Sequence, residues 1–254
     1  MRAFLSMLMV PVLVFIFSSC QKEITGEVSR PTDTTGAVGT PGGSFLVKTY
    51  TEDLKSSAGN LFTKFNLSYD VNNRILSVVS STNAGDKFLY QYGVNKYSLE
   101  IFNSNVLSIH GDFFLNSNQL PDSNVQYNDT RDTTIEKYTY NAAKQLTQSM
   151  EYEIKQSLAT LIDRTLYEYD ANGNVSKETN SGGETTYTYT SLLNTLNTGQ
   201  VYSNQNKFLI KTTVISGVGG VTINHTHTFD SFNRLTSEKA VATNGDVVTR
   251  TYTY

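Results

Sequence analysis

Residues 166–180 read LYEYDANGNVSKETN, and this short stretch carries the plan of the chain. Tyr167 and Tyr169 stand two apart, so an extended strand places both rings on one face. Asp170 follows at once. An Asp closes a turn by bonding its own downstream backbone, and Asn or Gly after it accepts a positive φ. Val175 then opens a returning strand. Aromatic strand, Asp turn and apolar restart make one hairpin.

The same unit recurs as FNLSYDVNNRILSVVSS from Phe65, KYTYNAAKQLTQSM from Lys137 and HTFDSFNRLTSEKA from His227. In every copy an aromatic precedes Asp or Asn, four residues follow, and an apolar residue restarts the strand: Asp70 to Ile75, Asn141 to Leu146, Asp170 to Val175, Asp230 to Leu235. Fainter copies stand at Tyr90-Gln91-Tyr92, Phe113-Phe114-Leu115 and Tyr202-Ser203-Asn204. Such a period marks a repeat architecture. Second turns at Ser181-Gly182-Gly183 and Asn244-Gly245 close the other end of each hairpin. Two strands per unit predict an all-β, antiparallel meander of about 12–15 strands, a curved sheet or barrel-like shell. One stretch is ambiguous. Leu146, Met150, Ile154, Leu158 and Ile162 fit a helix at i+4, yet they also fit alternating strand positions with Tyr152. We expect two strands with a turn near 156–160, and a loop with a helical turn over 191–199.

The motif resembles the YD repeat of Rhs-type proteins, notably in YDANGNV and FDSFNRL. The whole arrangement over residues 45–254 resembles a Bacteroidetes family of unknown function described as porin-like in fold. That resemblance implies a barrel and admits a membrane-inserted one, with the aromatic final strand TRTYTY as its supporting feature.

The beginning of the chain has another character. Ala3 to Phe17 is apolar apart from Ser6 and spans about 22 Å as a helix, short of the roughly 30 Å hydrocarbon core. A signal-peptide core fits that length. Phe17-Ser18-Ser19-Cys20 resembles the lipobox of bacterial lipoproteins, with Phe17 where Leu is commoner; this implies cleavage before Cys20 and a diacylglycerol on its thiol. Cys20 is the single cysteine of the chain, so disulfides have no part. Residue Gln21 replaces the Asp that retains such proteins in the inner membrane, which implies the outer membrane, facing either the periplasm or the cell surface. Gln21-Lys22-Glu23 also resembles a surface-export tag. Residues 1–19 are thus expected to be a signal peptide and 20–43 a lipidated tether, rich in Gly and without aromatics, of about 25 Å mean reach. Residues 44–254 form the repeat domain.

Loss of Arg2 with the signal leaves 19 of the 20 basic residues against 23 acidic ones. A mildly acidic body gives no footing for nucleic acid. No nucleophile elbow, zincin, phosphate-loop or dinucleotide motif occurs, and we expect no enzyme and no cofactor. His225 and His227 share one strand face and are weak candidates for a metal, against the simpler reading as packed imidazoles. Glu151 and Glu153 read as solvated acids on an exposed strand, and His110 stands alone. Tyr138, Tyr140, Tyr167, Tyr169, Tyr187 and Tyr189 are candidates for a ligand platform, or else the sheet's own hydrophobic face. The expectation is a lipid-anchored binding or scaffold module for a glycan, peptide or envelope protein. Clustering of the two histidines with two carboxylates would favour a hydrolase instead.

Overall fold

The computed structural model describes residues 46–128, 133–196, 206–217 and 220–254. Cys20, its tether and Tyr202 lie outside the described residues. The strands are β1 (Thr49–Ser56), β2 (Gly59–Tyr69), β3 (Ile75–Ser80), β4 (Lys87–Tyr92), β5 (Lys96–Asn103), β6 (Val106–Leu115), β7 (Pro121–Asn128) and β8 (Thr133–Tyr140). They continue as β9 (Leu146–Lys155), β10 (Leu158–Tyr169), β11 (Val175–Asn180), β12 (Gly183–Leu193), β13 (Phe208–Ile215), β14 (Val221–Phe229), β15 (Leu235–Ala242) and β16 (Val247–Thr253). Each pairs antiparallel with its chain neighbours, and β16 pairs back onto β1, so the meander closes into a barrel without an edge. The all-β expectation is met, with sixteen strands rather than 12–15. Residues 146–162 form β9 and β10 around a two-residue turn at Gln156 and Ser157. Residues 191–193 extend β12, where a helical turn was expected.

The quoted unit explains the construction. Asp170 Oδ1 accepts the amides of Asn172 (2.8 Å) and Asn174 (2.9 Å), and the Asp170 amide donates to the Asn174 carbonyl at 2.8 Å. The same turn is built at Asp70 and Asp230, at Asn141, and at Asn116, directly after the faint copy Phe113-Phe114-Leu115. All five lie at one end of the barrel, the turn end. The fourth residue is left-handed in each: Asn73, Gln119, Lys144, Gly173 and Asn233, with φ of 62°, 60°, 62°, 85° and 59°. Register then slips by one, so that Tyr69 faces Ile75, Tyr140 faces Leu146, Tyr169 faces Val175 and Phe229 faces Leu235. Such a bulge interrupts the ladder and sharpens the twist. It also aims the restart residue inward, and Ile75, Val175 and Leu235 are almost wholly buried.

The tyrosines lock one hairpin to the next. Tyr92, Tyr169, Tyr189 and Tyr254 donate their hydroxyls to the carbonyls of Ile75 (2.8 Å), Leu146 (2.7 Å), Val175 (2.5 Å) and Leu235 (2.9 Å). Each acceptor is the restart residue of the preceding Asp or Asn turn. Tyr69 makes the corresponding bond to Val47, at 2.5 Å, where the chain enters. Arg74 and Arg234, the last residues of two turns, lie over the rings of Tyr92 and Tyr254 at 4.2 and 4.6 Å. The YD pair is therefore a two-part device: Asp shapes its own turn and Tyr grips the neighbouring one.

Alternation sorts the walls. Inward residues of the turn end, including Tyr50, Phe65, Val78, Tyr90, Leu209 and Tyr252, make the apolar core. Outward positions are largely Thr, Ser and charged residues: Thr49, Thr51, Thr249, Thr251 and Thr253 face out along the closing seam, and Lys64, Lys87, Lys137, Lys177 and Lys239 face out elsewhere. Hydroxyl pairs run across the outside, such as Thr49 with Thr253 at 2.5 Å and Ser68 with Ser77 at 2.6 Å. Apolar residues interrupt this pattern at Phe62, Leu89, Phe102, Phe114, Leu166 and Val214 and in a row of cross-strand neighbours on β7 to β10, Val125–Ile135–Tyr152–Leu161.

Candidate functional site

Two groups of polar side chains point into the barrel. The first lies along the seam where the chain's ends meet. Register sets Glu52 against Arg250 and Arg250 against Glu238 on the inward face. Arg250 Nε donates to Glu52 Oε2 at 2.9 Å and Nη1 to Glu238 Oε2 at 3.2 Å. Tyr50 donates its hydroxyl to Glu52 Oε2 at 2.6 Å. On the far side of Glu238, Oε1 lies 2.8 Å from His225 Nδ1, and His225 Nε2 lies 3.1 Å from Thr213 Oγ1. The chain Tyr50–Glu52–Arg250–Glu238–His225–Thr213 thus crosses five neighbouring strands.

Its electrostatics follow from burial against pairing. Burial pushes the Glu238 carboxyl up, but the hydrogen bond from His225 and the Arg250 guanidinium outweigh it and bring the group down to about 2. Arg250 gains correspondingly: burial disfavours its charge, and the facing Glu238 more than compensates, holding the guanidinium ionised. Burial lowers His227, against attraction from Glu238, so this imidazole stays neutral near pH 7.

The second group sits on β7 to β10. Asn124 is fully buried and donates to the Tyr138 hydroxyl at 2.7 Å, and Tyr138 donates to Glu136 at 2.7 Å. Glu136 faces Glu151 across the ladder, and Glu151 faces Asp163. Burial raises the Glu136 carboxyl above its ordinary value; the Tyr138 hydrogen bond opposes this without reversing it, and Glu151 adds to the rise. Burial, then Asp163, raises Glu151 in the same direction. Glu151 and Glu153 are therefore not the solvated surface acids expected of them: with Glu136 and Thr134 as their partners, they occupy the inward face. Both faces of β9 carry polar residues, so alternation alone does not say which is inside.

The other sequence candidates take these places. Tyr138, Tyr140, Tyr167, Tyr169, Tyr187 and Tyr189 all lie on inward positions, with Tyr169 and Tyr189 spending their hydroxyls on hairpin carbonyls. Their rings on β10 and β12 are partly buried, as are Thr185 and His227, so this stretch of inner wall keeps some contact with water. His225 and His227 both face inward on β14, opposite Ala240 and Glu238. Among the described residues no His, Cys, Asp and Glu form a group with metal-binding geometry. His110 faces out on β6, 3.6 Å from Glu100 and from Asp112. The histidines are thus brought together with Glu238 and, through Arg250, with Glu52. Glu238, Arg250, Glu52 and Thr213 carry no local motif and were not singled out by sequence. Hairpin arithmetic contains a signal for one contact: counting back from the Asp230 turn, past its one-residue bulge, sets His227 opposite Glu238.

No protein-family model matches the chain, and no curated protein matches it significantly in sequence. Solved structures do match in shape. A porin-like protein from Bacteroides uniformis superposes with a TM-score of 0.63 at 14% identity, covering 82% of this chain and 97% of that one. A porin-like protein from Bacteroides vulgatus gives 0.55 at 12% identity, covering 82% and 98%. At such identities the likeness is one of fold, and the chain is a closed sixteen-strand barrel of the porin-like shape.

Proposed function

We propose that this chain is a cell-envelope barrel that stands in water beside the outer membrane, held there by lipid on Cys20. It serves as a binding or scaffold module whose ligand meets the part-exposed inner wall of β10 to β14. The observation that carries the reading is the polarity of the outer wall. A barrel in lipid needs an outward apolar band about 25 Å tall, and an outward Lys or Arg near the midplane costs about 2–4 kcal/mol. Here threonines, serines and lysines recur on that face, with Phe62, Phe102, Phe114, Tyr127 and Tyr152 interspersed, while the tyrosines that grip the Asp and Asn turns point inward. A Cys20→Ala full chain, exported without lipid, is expected in the soluble envelope fraction, folded and free of detergent.

A second reading, a membrane-inserted barrel, is favoured by the fold shared with porin-like proteins and by the outer row Val125–Ile135–Tyr152–Leu161. Recovery of the Cys20→Ala chain only in detergent micelles would select it over the first. Glycan, peptide and envelope-protein ligands are separated by retention on immobilised full chain; no retention of any class at micromolar concentration would remove the binding role.

A further inference from the structure

We propose that Thr213, His225 and Glu238 form a nucleophile–base–acid relay on the inner wall, making the barrel an acyl-transfer site for small uncharged esters. The three residues come from the successive strands β13, β14 and β15 and meet diagonally, since register sets Thr213 opposite Ile223 and Glu238 opposite His227, each one inward step from His225. Glu238 is held ionised between Arg250 and His225, so toward the imidazole it can only accept. The Nδ1 proton of the imidazole is therefore fixed on the Glu238 side. In the neutral ring Nε2 then carries the lone pair, and it faces the Thr213 hydroxyl at 3.1 Å. A hydroxyl bonded to an imidazole that is oriented by a carboxylate is the arrangement that activates a nucleophile, whatever the fold. The His225 and Glu238 side chains are only 9% and 15% exposed, so little water competes for the relay. Thr213 sits beside Tyr187 and Ile223, its cross-strand neighbours. That surrounding favours a small acyl group, and the Glu238 carboxylate behind His225 disfavours anionic esters.

The step balances with water as the only co-reactant. Thr213 Oγ1 attacks the ester carbonyl carbon, forming an O–C bond as its proton passes to His225 Nε2. Collapse breaks the bond to the leaving alkoxide, which takes that proton. A water deprotonated by Nε2 then attacks the threonyl ester, releasing the acid and restoring the hydroxyl. Glu238 and Arg250 are positioning residues. Thr213 is itself only 8% exposed, so turnover is expected to be slow and covalent capture is the better readout.

The full chain, extracted from membranes, is incubated with a biotinylated fluorophosphonate and digested for mass spectrometry, with p-nitrophenyl acetate hydrolysis followed in parallel. Wild type is expected to carry the adduct on Thr213, and Thr213→Ser to label faster because its hydroxyl is unhindered. His225→Gln should slow labelling by roughly 100-fold, and Thr213→Val should abolish it. Circular dichroism melting of each variant identifies any that fails to fold, and the conservative Thr213→Ser chain keeps the question open to test in that event. Absence of the adduct in folded wild type and folded Thr213→Ser overturns the proposal, as does hydrolysis undiminished in Thr213→Val. Neither outcome touches the solubility test of the envelope reading.

Discussion

Replacing Arg250 by Met removes the cation that, among the described residues, bridges Glu52 on the first strand and Glu238 on the fifteenth. The methionine chain fills similar space, so packing changes little, but Glu52 and Glu238 are left facing each other inside the barrel. Stripping one partner from a buried ion pair costs about 3–5 kcal/mol, because the remaining charge is neither solvated nor paired. The Glu238 carboxyl supplies an independent figure. Its fall from 4.5 to about 2 on folding, at 1.36 kcal/mol per unit, is worth about 3 kcal/mol. A depressed acid stabilises the fold above its unfolded value and loses that contribution as pH falls toward its folded one. The wild-type barrel should therefore lose about 3 kcal/mol between pH 5 and pH 2, and the Arg250→Met barrel much less. Urea unfolding of the full chain, followed by far-ultraviolet circular dichroism at several pH values, measures both. The triple change Glu52→Gln, Arg250→Met and Glu238→Gln removes the stranded charges and should recover most of the loss at pH 7. If Arg250→Met stays within about 0.5 kcal/mol of wild type at pH 7, or if wild-type stability is flat across the acid range, the seam is not held by this network.

The opposite wall titrates the other way. Glu136 is raised by burial, so its charged form weakens the fold, and Glu136→Gln should raise the urea midpoint more at pH 8 than at pH 5. Tyr169→Phe deletes one hydroxyl-to-carbonyl grip and should cost about 1 kcal/mol in the same assay. Lys144 holds a left-handed backbone where the sister turn has Gly173; Lys144→Gly should gain about 1 kcal/mol from relief of that strain, read as a higher midpoint. On the outer row and beside it, Leu161→Lys and Tyr127→Lys should leave stability and yield almost unchanged if the wall faces water, whereas each would cost about 2–4 kcal/mol in lipid.

The turn was the legible part of this fold because every ingredient of it is local. Asp170, the left-handed Gly173 and the restart residue Val175 lie within six positions, and their geometry follows from residue type alone. Closure was less legible. Nothing local in Thr49–Ser56 or Val247–Thr253 says that they pair, since the contact joins the two ends of the domain and is rewarded only once fourteen strands stand between them. Strand count fell short for a related reason: the hairpin around Asn105 lacks the aromatic-Asp signature and turns on left-handed Ser104 and Asn105 instead. The seam network was harder still. Thr213, His225 and Glu238 are spaced by twelve and thirteen residues, a distance set by hairpin length and bulges, so no short pattern encodes it.

Which wall faces inward was the least legible of all, and it is the property on which function turns. In a strand such as Thr226–Thr228 beside His225–His227, both faces are polar, and hydropathy has no contrast to read. The Asp turn supplies the missing information. Because its bulge aims the restart residue into the core, every aromatic paired with a restart residue must also point inward, and alternation then assigns each remaining position back along the strand. Applied back from Phe229, that rule places His227 and His225 inside and Thr226 and Thr228 outside, and pairing across the one-residue bulge then puts Glu238 inside and Lys239 outside. Applied from Tyr69 and Ile75, it sends Lys64, Asn66 and Ser68 outward. The same motif that closes the hairpins thus fixes which side chains line the interior and which the outer wall, and whether that wall meets water or lipid is what the Leu161→Lys and Tyr127→Lys measurements read.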